Sequence, residues 1–114
     1  MTLAAYLAAL AIMPPGLLDA VEHVESRGNP WAVSHSGCIG LLQVCPRWAS
    51  VPAWSLFIPA VNRAEGARQL ADWYRRGGSW RKAAAAYRCG WAGLRGECGQ
   101  TYARRVLAAA RITD

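Results

Sequence analysis

Seven carboxylates, two histidines and four cysteines are the side chains with which this 114-residue chain could run acid–base, metal or redox chemistry. Three of the acids, Asp19, Glu22 and Glu25, fall in one short segment. Leu17, Ala20, Val21 and Val24 recur there at i, i+3, i+4 and i+7, the spacing of one apolar helix stripe. Gly28, Asn29 and Pro30 end that helix. Glu25 therefore sits in its last turn, where the helix dipole favours cations. A carboxylate there is locally unfavourable, so its place calls for a reason other than helix stability. Asp19 and Glu22 read as a solvated face. His23 and His35 do not share a metal-ligand spacing and read as surface groups. No metal and no cofactor are expected.

The cysteines are Cys38, Cys45, Cys89 and Cys98. An even number in so short a chain suggests two disulfides and an oxidising compartment. The absence of a C-x-x-C pair argues against a zinc site. Three pairings exist. Cys38–Cys45 with Cys89–Cys98 closes the shortest loops.

The elements that must position these groups are mostly helical. Residues 1–18 carry no charge, and the Ala-rich stretch before Pro14 predicts a first, buried helix. That stretch lacks the basic flank of a signal peptide and is too short to span a membrane. Pro14, Pro15 and Gly16 break it, with a proline well placed to start the Glu25 helix. Residues 32–45 read as a small hairpin or irregular segment, because glycines interrupt every apolar run. Residues 48–59 are aromatic and proline-punctuated, which reads as a loop with a short turn. A helix follows over 60–76, with Val61, Ala64, Ala67, Leu70, Ala71 and Tyr74 inward and Arg63, Arg68, Arg75 and Arg76 outside or at its end. Gly77, Gly78 and Ser79 stop it and cap the next helix, which runs over 80–88. Residues 89–100 read as a glycine-rich loop. A last helix is expected over 101–112, with Tyr102, Val106, Leu107 and Ala110 inward. The fold class is thus mostly α: a single compact domain over 1–114 with a small irregular β segment.

Composition narrows the function. The net charge is +6, and 12 of the 13 basic residues are Arg. A surplus of that kind suits an anionic partner such as nucleic acid, a membrane surface or a bacterial cell wall. Charged residues make up 18% and apolar ones 54%, which excludes an intrinsically disordered chain.

Three segments stand out in order. They are Glu25-Ser26-x-x-Asn29-Pro30, Gly40-Leu41-Leu42-Gln43 and Ala85-Ala86-Tyr87-Arg88-Cys89-Gly90. Together they resemble the lytic transglycosylase family with the goose-type lysozyme-like fold, the SLT domain. The resemblance extends through Asn29-Pro30-x-Ala32-Val33-Ser34-x-x-Gly37, through Asn62 and Gly66, and to Tyr102-x-x-x-Val106-Leu107. It covers nearly the whole chain and implies a lysozyme-like domain that cleaves peptidoglycan.

Residue by residue, the resemblance implies that Glu25 is the single general acid/base. It would protonate the oxygen between N-acetylmuramic acid and N-acetylglucosamine. It would then take the proton of the muramoyl 6-hydroxyl as that oxygen closes onto C1, giving a 1,6-anhydro product. Ser26, Gln43, Tyr87, Arg88 and Tyr102 would line the groove, with Trp48 as a sugar-stacking candidate beside Trp31 and Trp91. This chain departs from the family pattern at Arg88, where Asn is common, at Trp91, where Pro is common, at Cys45, where Met is usual, and at Cys98, near an expected acid. On that layout Cys45 and Cys89 both lie near the site, so Cys45–Cys89 with Cys38–Cys98 is the other pairing.

A two-carboxylate hydrolase needs an acid and a second carboxylate across the groove. Glu65, Asp72, Glu97 and Asp114 fall in no motif that supplies one, which favours one-glutamate chemistry. The rival readings are a lysozyme-type muramidase and a non-catalytic basic module that binds glycan or nucleic acid. No helix clusters Arg with Asn or Gln for base edges, so nucleic acid is not expected. The expected partner is the peptidoglycan glycan strand, met by a monomer without stable membrane insertion. The expected setting is periplasmic, secreted or virion-associated.

Overall fold

The computed structural model describes residues 2–113. They form five α-helices: α1 (Leu3–Ile12), α2 (Leu17–Ser26), α3 (Pro59–Gly77), α4 (Trp80–Gly93) and α5 (Glu97–Ala110). Single 3₁₀ turns at Pro46–Trp48 and Ala53–Phe57 lie between α2 and α3. The segment after α2 has no extended sheet; Ile39 alone bridges to Val33 on one side and Val44 on the other. The fold is mostly α, as the apolar periodicities predict.

One apolar core runs through the described residues. Leu17, Val21, Leu42, Leu56, Leu70, Val106 and Leu107 lie at its centre, with the small faces of α3 and α4 around them. The small residues Ala83, Ala84, Ala85 and Ala86 are all buried, which lets α4 approach α3 and α5 closely. α5 packs against both α2 and α4. That three-helix junction joins the Glu25 helix to the Tyr87 and Tyr102 helices.

A buried asparagine organises the irregular segment. The Asn62 amide nitrogen donates to the carbonyls of Ile39 and Leu56, at 2.7 and 2.9 Å, and its oxygen accepts from the Leu42 amide at 2.8 Å. A buried polar group is tolerable only when its bonds are made, and here three are. The Gly40–Gln43 turn is thereby fixed to α3. Gly40 has φ 77°, and a side chain there would run into Asn62 and the Leu56 carbonyl. Gly66 lies under Leu42 in the same way.

The structure corrects several sequence expectations. α1 is a helix but is not buried: only Ala9 is, while Leu3 and Leu7 stand 72% and 54% exposed. It is apolar on every side, so periodicity could not tell how much of it the core would cover. α2 starts at Leu17 with Gly16 in the left-handed conformation at its cap, so Pro15 precedes the helix instead of opening it. Residues 89–100 are largely helical. α4 continues to Gly93 through a kink at Gly90 (φ 74°), and α5 begins at Glu97. Gly99 is needed for close approach to the Leu94 carbonyl, not for looseness. On α3 the fully buried positions include Asn62, Glu65 and Gly66, whereas Val61, Ala64 and Tyr74 are half-buried. Asp19 and Glu22 are not simply solvated, because Arg63 pairs with both, at 2.9 and 2.5 Å. The Ser79 cap forms as expected, accepting from the Lys82 amide.

Cys38 pairs with Cys45 and Cys89 with Cys98, the short-loop arrangement. The Cys45–Cys89 and Cys38–Cys98 alternative is ruled out. On a chain-entropy account, closing loops this short stabilises by about 2.5 kcal/mol each.

Candidate active site

Glu25 projects from the last turn of α2 into a groove of about 360 Å³. Val24, Ala32, Val33, Ser34, Gln43, Arg88, Tyr102 and Arg105 line it with Glu25. The Glu25 side chain is only 6% exposed. Its Oε2 accepts a 2.8 Å bond from the Tyr102 hydroxyl of α5. Its Oε1 faces the Arg88 guanidinium of α4 at 3.5 Å. Burial raises the Glu25 pKa above the usual carboxylate value. The Tyr102 bond and the charges of Arg88 and Arg105 pull the other way without cancelling it. Desolvation disfavours a charged carboxyl more than one hydroxyl and two solvent-exposed cations favour it. No other carboxylate lines this groove among the described residues.

The two tyrosines hold the site by different bonds. Burial, then the Glu25 charge, pushes both phenols well above their usual range, so both remain hydrogen-bond donors. Tyr102 donates to Glu25 itself. Tyr87 donates to the Leu42 carbonyl at 2.6 Å, which ties α4 to the Gly40–Gln43 turn. Gln43 sits in the left-handed conformation at φ 50°, unusual for a residue with a side chain. Its amide nitrogen donates to the carbonyls of Ala32 and Gly40, which closes that turn against the segment after α2.

The remaining candidates fall elsewhere. The Ser26 hydroxyl donates to the Glu22 carbonyl and accepts from the Gly28 amide, so it shapes the end of α2. Trp48 is 65% exposed on the first 3₁₀ turn, beneath the Arg47 guanidinium, and does not line the Glu25 groove. Trp31 is exposed and packs on Phe57. Trp91 stacks on Trp73 with Arg76 over it and faces a different hollow. Arg105 is the groove residue that sequence reasoning passed over. It lies three residues after Tyr102 and so shares that side of α5.

The sequence profile of the transglycosylase SLT domain matches residues 4–107. The chain belongs to the transglycosylase SLT domain family. Its fold is also that of a solved relative: the 70 kDa soluble lytic transglycosylase of Escherichia coli superposes with a TM-score of 0.81 at 20% identity, over 94% of this chain. This SLT chain spans 23% of the length of that structure. A comparison with curated protein sequences returns no match.

Proposed function

We propose that this SLT domain cleaves the β-1,4 bond between N-acetylmuramic acid and N-acetylglucosamine in peptidoglycan, with Glu25 as the only acid/base. The observation that carries the reading is a nearly buried carboxyl with a raised pKa, alone among carboxylates in its groove. A raised pKa keeps the acid protonated closer to neutral pH, as general acid catalysis requires.

In the first half-reaction Glu25 gives its proton to the glycosidic oxygen as the C1–O bond breaks. In the second, the carboxylate so formed removes the proton of the muramoyl 6-hydroxyl while its oxygen bonds to C1. The products are a 1,6-anhydro-muramoyl end and a free 4-hydroxyl, and Glu25 returns protonated. No water is consumed. Tyr102 steadies the carboxylate between the two halves. Gln43 and Arg88 offer polar groups to the sugars, while Tyr87 and Ser26 hold the groove's walls. The +6 charge suits an anionic wall polymer, and the two disulfides suit an extracytoplasmic setting.

Mass analysis of the fragments that the purified protein releases from cell wall tests the proposal. Ends lighter by one water than reducing-end muropeptides support it. Reducing-end fragments identify a lysozyme-type hydrolase instead, and binding without release identifies a glycan-binding module.

A further inference from the structure

A second hollow, of about 370 Å³, adjoins the groove. Arg88, Glu97, Cys98, Thr101, Tyr102 and Arg105 line it. Arg88, Tyr102 and Arg105 line both hollows, so the two arginines stand at the boundary between them. Arg88 reaches Glu25 through one nitrogen at 3.5 Å and is 54% exposed, which leaves most of its fork turned to solvent. Arg105 is exposed and forms no ion pair among the described residues. Glu97, the hollow's one carboxylate, forms none either. Within this hollow two guanidiniums meet a single carboxylate, Glu97.

A planar guanidinium is matched by a carboxylate, which it binds through paired N–H donors. Uncharged sugar rings offer no such partner, but the peptide stems borne by muramoyl residues do. We propose that Arg88 and Arg105 form a carboxylate-recognition subsite, selecting glycan strands whose stems carry a free carboxylate over strands whose stems are amidated. This rests on the peptidoglycan reading above and names the substrate class more narrowly. The acidic stem lies in the second hollow, against the first turns of α5. The glycosidic bond stays at Glu25.

The test uses two matched soluble muroglycans that differ only in stem amidation. The wild-type kcat/KM is expected to favour the carboxylate form about tenfold, as two partly exposed charge pairs supply. Arg105→Gln lowers that ratio to about threefold, one pair of the two being lost, and Arg105→Lys retains most of the tenfold. A wild-type ratio near one, or a ratio unchanged in Arg105→Gln, overturns the proposal. Calorimetric binding of the same two probes to the Glu25→Gln protein separates the two readings. A preserved preference for the carboxylate form there, without any turnover by the wild type, upholds the subsite and sinks the catalytic reading. No preference in binding sinks the subsite whatever the turnover.

Discussion

Glu25, at the edge of a groove, and Glu65, inside the fold, are two glutamates with little side-chain exposure, and their acidities are displaced in opposite directions. The Glu65 carboxylate is completely buried. Burial raises its pKa, but the Ser50 amide at 2.6 Å, the Ser50 hydroxyl at 2.7 Å and Arg68 at 3.5 Å outweigh that, and the net shift is downward. Glu25 has one hydroxyl bond and two exposed cations, only one of them within hydrogen-bond reach, and burial wins. The number of donors aimed at a carboxylate therefore decides its charge state more than its depth does. Glu65 is a clamp, charged at neutral pH, that joins the segment after the first 3₁₀ turn to α3. Glu25 is left short of donors and able to hold a proton.

The contrast can be broken from either side. The largest expected effect is on activity: Glu25→Gln lowers the initial rate of fragment release about 10³-fold, the scale of a lost general acid/base, while circular dichroism stays native. Retained release removes Glu25 from the mechanism. Next comes Glu65→Ala, expected to destabilise the fold by about 3 kcal/mol in urea denaturation at neutral pH, because it strips a buried anion from its donors. Glu65 has a depressed folded pKa, so its stabilisation is present above the ordinary glutamate value. It fades as pH falls through the folded pKa, and the wild-type and variant curves converge there.

Tyr102→Phe ranks third, with a loss of about tenfold in kcat, equal to roughly 1.4 kcal/mol. Because the lost bond lowers the Glu25 pKa, the alkaline limb of the rate profile moves to higher pH. A slower enzyme with an unmoved limb contradicts the assignment. Ser50→Ala removes one of Glu65's donors and costs about 1 kcal/mol, making Glu65 a little more like Glu25. Arg88→Gln is the smallest: it shifts the same alkaline limb upward by less than Tyr102→Phe, as read from kcat against pH. The raised Glu25 pKa has its own stability signature. Its protonated form favours the fold at acid pH, and that contribution is lost as pH rises through the folded value. The melting temperature of Glu25→Gln should gain on the wild type as pH increases.

Half of this contrast was legible in the sequence. Glu25 announced itself because a carboxylate in the last turn of an amphipathic helix opposes the helix dipole, and because the motifs around it resemble those of SLT domains. The helices α2 and α3 could be read from apolar spacing and from Gly and Pro punctuation. Glu65 could not be read, because nothing local distinguishes a buried glutamate on α3 from a solvated one. Its two shortest donor bonds come from Ser50, 15 residues away. Tyr102 could be named as a groove residue, but its bond to Glu25 spans 77 residues. Only the packing of α5 against α2 creates it. α1 misled for the opposite reason: apolar on every side, it gave no sign that the core would cover so little of it.

The disulfides carry a consequence of timing. Cys38–Cys45 staples the stretch bearing Gln43, and Cys89–Cys98 staples the ends of the helices bearing Arg88 and Tyr102. Each bond removes two electrons from the chain, so these walls are finished only after synthesis, where an oxidant is at hand. In a reducing cytosol the Asn62 pins and the apolar core remain, but both flanks of the Glu25 groove lack their covalent closure. Reduction would thus loosen both flanks of the groove together while leaving its floor in place.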